Sequence, residues 1–365
     1  MRKPLFSKGG SSPVGIVFVC VVCLMGVKIA DIVSRREVSA LDFRGKTLAV
    51  DALNTLYQFL SIIRQYDGTP LKDENGDVTS HLSGIFYRSL NLMQAGVNLV
   101  YVFDGKPPVF KASTNSVRRK ARADAKRKWD EARDEGRVSD ARKYAQASVE
   151  ITDEMLSESK ELLCALGIPV VEALSEGEAQ AAYMARKGMV YAVASSDYDT
   201  LLFGAPRLVR NLNVSGKRKM AGANVYREVK PEMIELSQVL RELKLTREQL
   251  VNLGILIGTD YNPGGIKGVG PKNALKLVLK HKTLSELEKC VEWGFDVSMR
   301  EIHEFFMKPP VVSDCDVTQG EADRGKIREI MCVRHGFSSE RVDSMFRKLD
   351  DICEQKKQTT LGRWG

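Results

Sequence analysis

Four histidines, seven scattered cysteines and, past residue 24, no long apolar run mark what this 365-residue chain has little of. A membrane span requires roughly 20 consecutive apolar residues, so the body of the chain reads as soluble, with no membrane partner. An odd cysteine count fits no closed disulfide framework. The one close pair, Cys20 and Cys23, has neither a second pair nor histidines at zinc spacing. A reducing compartment follows, which weighs against secretion.

With 43% hydrophobic residues the chain can bury the core of one large domain or two ordinary ones, which excludes a disordered or fibrous protein. The formal net charge of +8 points to a polyanionic partner, because lysine and arginine that displace condensed counterions bind nucleic acid regardless of its sequence.

Three continuous apolar runs read as parallel strands buried on both faces: "KTLAVDA" (46–52), "VNLVYVFDG" (97–105) and "MVYAVASSD" (189–197). Helical patterns lie between them. The predicted fold class is α/β, with a central, mostly parallel sheet flanked by helices. After residue 230 strand signals fade and helices take over.

Residues 111–150 are highly charged and almost free of large apolar side chains. A helix here has no wide core-facing stripe. It is either a solvated helix laced with pairs such as Asp130 and Arg133, or a projecting helical arch that grips a nucleic-acid strand.

The acids fall at strand ends. Asp51 closes the first strand and Asp104 the second, the edge of an open α/β sheet where ligands collect. In "SEGEAQAA", Ser175 can cap a helix with Glu178 closing a capping box, which leaves Glu176 in the same first turn. Asp197 and Asp199 lie just past the third strand, two apart and on one side of an extended segment, and Asp260 follows another apolar run. Singly, each has an ordinary reading as a cap, a turn or a strand-end polar residue. Together they demand cations, since a like-charge pair at ~4 Å costs on the order of 4 kcal/mol at an effective dielectric of 20.

Oxygen ligands without histidine or thiolate favour Mg²⁺, with Mn²⁺ as a substitute, over zinc. Two such ions about 4 Å apart activate water and stabilise both the attacking and the leaving oxygen of a phosphodiester displacement. The incoming phosphate is negative as well, so cationic side chains must reach in. Lys111 and Arg118, seven apart on one helix face, are the candidates.

"MGVKIADIV", "LAVDALNTLYQFL", "TSHLSGIFYR", "YVFDGKPPVFK", "EGEAQAA", "SSDYDTLLFG" and "GTDYNPGGIKGVGPKNALKL" resemble, in this order, the archaeal flap endonucleases of the structure-specific 5′ nuclease superfamily. The resemblance runs from Met25 to the C-terminus. It implies that Asp51, Asp104, Glu176, Glu178, Asp197, Asp199 and Asp260 bind two metal ions, and that Lys111 and Arg118 act beside the scissile phosphate. It further implies that Tyr57 stacks on a nucleobase and that Arg64 and Arg88 touch DNA phosphates. From pattern alone, Tyr57 is a core aromatic and the two arginines are surface residues. The regions expected are 25–125 (N-terminal nuclease region), 111–150 (arch), 150–285 (internal nuclease region), 286–350 (C-terminal helices) and 351–365 (tail).

Within 260–278, Gly268 and Gly270 allow a tight turn, and Pro271 opens a helix whose first N–H groups can face a phosphate. A plain helix-helix turn is the ordinary reading. The resemblance makes this a helix-hairpin-helix element, Lys272 included, that holds duplex backbone and a monovalent cation without reading bases. In the tail, Gln358, Leu361 and Trp364 resemble the box with which replication proteins enter a sliding clamp. The second aromatic of such boxes is missing where Gly365 stands, so a weaker grip is expected.

The apolar segment Val14–Leu24, preceded by Arg2, Lys3 and Lys8, has the form of a signal peptide. The family's mature chain begins at the Gly of "MGVK", here Gly26, so residues 1–24 are read as a misassigned extension. The expected location is cytoplasmic, at the archaeal nucleoid. The expected activity is cleavage of 5′ flaps on branched DNA in replication and repair, with 5′-3′ exonuclease activity. The rivals are a relative that cuts four-way junctions or bubbles, which the lack of a long insertion before "EGEAQAA" disfavours, and a catalytically silent clamp-bound scaffold, which retention of every carboxylate disfavours.

Overall fold

The computed structural model describes residues 27–361, apart from 66, 214–215 and 220–225. The strands are β1 (Arg36–Glu37), β2 (Thr47–Asp51), β3 (Asn98–Phe103), β4 (Val170–Glu172), β5 (Ala192–Ala194), β6 (Arg207–Arg210), β7 (Gly216–Lys219), β8 (Tyr226–Val229) and β9 (Glu232–Glu235). Seven of them make one sheet in the order β1-β9-β6-β5-β2-β3-β4, while β7 and β8 form a separate antiparallel hairpin. From β6 through β4 all pairings are parallel; β9 runs antiparallel to both β6 and β1. The fold is therefore the α/β, mostly parallel architecture expected.

Along β3, Leu99, Tyr101 and Phe103 enter one hydrophobic core, and Val100 and Val102 enter the other. Both faces are covered, so β2 and β3 need no polar alternation. One core is completed by helices Ala52–Ile62, Ser80–Gln94 and Asp153–Ala165 and by the C-terminal helix Ser339–Leu361, which contributes Val342, Met345 and Phe346. The other core is filled by helices Gly177–Arg186, Arg247–Ile257, Pro271–Lys280 and Met299–Met307.

Strands continue past residue 230: β9, "EMIE", pairs with β6 at the sheet's antiparallel edge. Its two buried residues, Met233 and Ile234, are too short a run to register beside the helical patterns that follow. The run 189–197 yields only the three-residue β5, because Ser195 and the residues beyond it turn into the site.

The charged segment folds into two helices, Ala112–Asp134 and Val138–Ala147. They meet through small residues, with Ala125, Ala132, Ala141 and Ala145 buried. Their outer faces carry pairs such as Lys128 with Asp124 at 2.9 Å and Arg133 with Asp130 at 3.6 Å, all solvated. Among the described residues no helix is long and apolar enough to cross a membrane.

Candidate active site

The chain leaves β2 for β3 and β4 on one side and returns to β5 and β6 on the other. The β2–β5 boundary is thus the point where strand order reverses, and ligands bind outside the carboxyl ends of such strands. Asp51 ends β2 and caps the following helix, its Oδ1 accepting from the Asn54 N–H at 3.0 Å. Across the boundary Ser195 Oγ donates to Asp51 Oδ2 at 2.9 Å and lies 3.5 Å from Glu178 Oε1.

Asp104 follows β3, and its Oδ1 accepts from the Gly177 N–H at 2.8 Å. A Cβ on Gly177 would stand 2.6 Å from that oxygen, so a larger residue would displace the Asp104 carboxylate. The capping box expected around Ser175 does not form. The helix begins with Glu176 as its N-cap, Ser175 Oγ is buried without a hydrogen-bond partner, and Glu178 faces the other acids. Asp199 Oδ1 accepts from the Val27 N–H at 2.8 Å, and Asp197 Oδ1 from the Asp199 N–H at 3.0 Å.

Asp260 sits in a loop held by a buried network. Thr259 Oγ1 donates to Asn262 Oδ1 at 2.7 Å, and Asn262 Nδ2 donates to the Ile255 carbonyl at 2.7 Å. The loop folds back on the preceding helix so closely that a Cβ on Gly265, where φ is +58°, would lie 2.3 Å from the backbone of Ile257.

All seven acids share one field. Burial, followed by the Asp260 carboxylate, raises Asp197 to about 7. Asp104 is open to solvent on one side, but protein on the others desolvates it and Asp51 repels it, which brings it to about 6. Burial raises Asp51, and burial with neighbouring acids raises Glu176 and lifts Glu178 and Asp199 furthest. Folding therefore holds these groups in an environment that resists their ionisation.

Two cations answer them. Lys111 Nζ donates to Glu176 Oε2 at 2.6 Å and lies 3.6 Å from Asp260 Oδ2, and Arg118 pairs with Asp260 Oδ1. Burial opposes the Lys111 charge, but Glu176, Asp260 and Asp104 outweigh it and raise its pKa. The base of the arch is fixed beside them: Thr114 Oγ1 donates to the Asp260 carbonyl at 2.6 Å, and the Phe110 ring meets Tyr261 edge-on at 5.1 Å.

The acids suit divalent cations with oxygen ligands. Glu178, Asp197 and Asp199 can each present an oxygen within 4.8 Å of the others. On the opposite side Glu176 Oε1 is buried with no hydrogen-bond partner, as a ligand atom awaiting a cation would be.

A cleft of about 650 Å³ opens over Asp260, between the arch and the 258–271 loop, and is lined in part by Tyr57, Val117, Arg118 and Arg122. The Arg122 guanidinium lies 5.0 Å from the Tyr57 ring centroid, so Tyr57 faces the cleft and not the core. Gly270 and Pro271 line its far wall. Gly268 turns at φ +80°, Gly270 is the N-cap of the next helix, and the exposed Lys272 follows in its first turn.

The Arg64 guanidinium donates to the carbonyls of Leu60 and Gly68 at 2.6 and 2.7 Å, and burial lowers its pKa to about 10; Arg88 is half-buried on helix Ser80–Gln94. Residues 1–26 and Trp364 lie outside the described residues, as do the side chains of Gln358 and Leu361, whose backbone continues the C-terminal helix. Sequence reasoning passed over Asn54, Thr114 and Ser195. For Asn54 a signal existed, since an aspartate at a strand end finds its cap partner three residues on; for Thr114 and Ser195 none did.

Residues 25–125 match the XPG N-terminal domain and residues 167–260 the XPG I-region. Flap endonuclease 1 of Pyrococcus furiosus is 53% identical over 341 residues, 93% of this chain and 99% of that protein. Among solved structures, flap endonuclease-1 from Methanococcus jannaschii matches with a TM-score of 0.71 at 37% identity, over 91% of this chain and 100% of that one. The catalytic core of Rad2 in complex with DNA substrate matches with a TM-score of 0.64 at 26% identity, over 86% and 96% of the two chains. By sequence along nearly its whole length, by both XPG regions and by fold, the chain belongs to the flap endonuclease 1 family.

Proposed function

We propose that this protein is a divalent-metal-dependent nuclease that binds branched DNA and cuts a 5′ flap at its junction with duplex, with accompanying 5′-3′ exonuclease activity, in replication and repair. The observation that carries the reading is the set of seven carboxylates crowded at the sheet's switch point, opposed among the described residues by Lys111 and Arg118, with Asp260 opening onto a cleft beside the two charged helices.

Glu178, Asp197 and Asp199 would hold one Mg²⁺ or Mn²⁺, and Asp51, Asp104 and Glu176 a second, with Asp260 between them. Bound there, the ions offset the carboxylate charge, activate water and stabilise the oxygens that attack and leave phosphorus. The chain's own residues do the rest. Lys111 and Arg118 reach past the acids to the scissile phosphate, where their charge is worth most as negative charge develops. Tyr57 offers a ring face on the cleft wall for a nucleobase, and Arg122 already stacks there. Arg64 and Arg88 serve the duplex backbone on this reading. At Gly268–Lys272 the first N–H groups of the helix meet duplex phosphates, with a monovalent cation completing the contact.

The tail, with Gln358, Leu361 and Trp364, would dock on a sliding clamp, and the working location is the cytoplasm. Removing residues 358–365 is expected to leave cleavage of naked DNA unchanged and to abolish stimulation by the cognate clamp. Stimulation that persists would exclude the tail as the docking element.

A labelled double-flap DNA, incubated with Mg²⁺ and with EDTA, tests the activity. Cleavage at the junction in Mg²⁺ alone, leaving a 5′ phosphate and a 3′ hydroxyl, is the expected result. Cleavage in EDTA, or a four-way junction cut faster than the flap, would overturn it.

A further inference from the structure

Between Asp197 and Asp199 stands Tyr198, a residue with no place in the chemistry above. It is only 6% exposed, and its hydroxyl meets the antiparallel edge of the sheet. Arg210, the last residue of β6, donates from Nη1 to the Tyr198 hydroxyl at 2.6 Å and from Nε to the Ser196 carbonyl at 3.1 Å. Its guanidinium also lies 4.2 Å from the centroid of the Tyr198 ring. One planar group thus grips the turn on both sides of Asp197, something a lysine's single ammonium cannot do.

The grip is anchored in turn. Arg210 is the cross-strand partner of Glu232 on β9, whose Oε2 lies 3.7 Å from Arg210 Nη1 and 3.7 Å from Arg35 Nη1. Arg35 itself donates weakly to the Tyr198 hydroxyl at 3.4 Å. On the other side of the turn, Ser196 Oγ donates to Asn54 Oδ1 at 2.8 Å, and the Asn54 N–H donates to Asp51. The segment 195–199 is therefore clamped between the helix after β2 and the antiparallel edge, and its carboxylates have little freedom to reorient.

We infer that Arg210, acting through Ser196 and Tyr198, is a positioning residue that orients Asp197 and Asp199 and so sets the divalent-ion affinity of the Glu178, Asp197 and Asp199 group. The inference rests on the metal-binding reading of those carboxylates. Loss of a group that orients metal ligands typically costs about 10- to 100-fold in metal affinity.

The test is Mn²⁺ binding to the full chain without DNA, followed by the free-ion electron paramagnetic resonance signal. Arg210→Gln is expected to raise the half-saturating Mn²⁺ concentration about 10-fold or more. Arg210→Lys should recover only part of the loss, and Tyr198→Phe, which keeps the ring but deletes the shared hydroxyl, should show a smaller rise. Thermal midpoints in EDTA should match the wild type, and saturating Mn²⁺ should restore the cleavage rate of Arg210→Gln.

Wild-type Mn²⁺ affinity in both Arg210→Gln and Tyr198→Phe would overturn the inference while leaving the metal site standing. A rate deficit that saturating Mn²⁺ cannot repair, at unchanged affinity, would overturn it equally. If Arg210→Gln does not fold, Tyr198→Phe decides the matter by the same criterion. A wild-type chain that binds no Mn²⁺ would sink the metal reading and this inference together.

Discussion

The acid cluster and the arch stand next to each other and are built on opposite terms. In the cluster many of the polar contacts reach far across the sequence: Ser195 to Asp51, Gly177 to Asp104, Val27 to Asp199. Residues from several elements hold the acids, so no single contact defines the site. Beyond the base, where Thr114 and Arg118 reach Asp260, the ion pairs of the two charged helices are local and solvated, three or four residues apart such as Asp124 with Arg127 and Lys128, above an interface of alanines. Buried like charges store unfavourable energy that a cation or a bound proton relieves, whereas exposed pairs contribute about 0–1 kcal/mol each. The difference teaches where charge is stored: the cluster crowds its acids against protein, while the two charged helices spread theirs in solvent.

The contrast can be broken most forcefully at the cluster. Asp197→Asn removes one proposed metal ligand and should lower flap cleavage on the order of 10³-fold, since metal ligation supplies several kcal/mol of transition-state stabilisation. Affinity for flap DNA, measured by fluorescence anisotropy in Ca²⁺, should hold. Weakened DNA binding with unimpaired cleavage of bound DNA would mean that Asp197 serves the substrate and not the metal.

Next come the two cations at the arch base. Lys111→Ala or Arg118→Ala should cost about 10²-fold in single-turnover rate with a much smaller change in DNA affinity. Equal losses in both quantities would reassign these residues to backbone holding.

A smaller effect distinguishes the cluster by pH. In the metal-free protein the folded pKa values of Asp104 and Asp197, about 6 and about 7, exceed the ordinary carboxylate value, so the folded state binds more protons than the unfolded state between about pH 4 and pH 7. Stability contributed by these groups is intact below that window and falls as pH rises through it. Cations relieve the penalty, so Mg²⁺ should raise the thermal midpoint more at pH 8 than at pH 5. An equal shift at both values would contradict the assigned pKa directions.

The arch gives the smallest expected change. Asp124→Ala deletes two exposed ion pairs and should alter global stability by less than about 0.5 kcal/mol, with cleavage preserved at physiological salt. A large loss of stability would show the arch to be part of the core after all.

Much of this architecture was legible in the sequence because the same residues served both fold and function. β2 and β3 are continuous apolar runs that end in Asp51 and Asp104, so the strands and the ligand edge were read together. β4, β6 and β9 were not, since "VVE", "RLVR" and "EMIE" are too short or too charged to show a period, and only their neighbours in the sheet make them strands. Glu178 misled locally: spacing from Ser175 fitted a capping box, but the helix starts at Glu176 and the Glu178 side chain turns to Asp197 and Asp199, acids about 20 residues on. Arg210 was invisible for the same reason: its residue type is ordinary, and its role arises from contacts with Ser196, Tyr198 and Glu232 that no local pattern records.

Diffraction from a crystal of the full chain soaked in MnCl₂, measured at the manganese edge, tests the central claim most directly. The account predicts anomalous density for two ions, one against Glu178, Asp197 and Asp199 and one against Asp51, Asp104 and Glu176. Carboxylates found apart from one another, with no manganese among them, would contradict it.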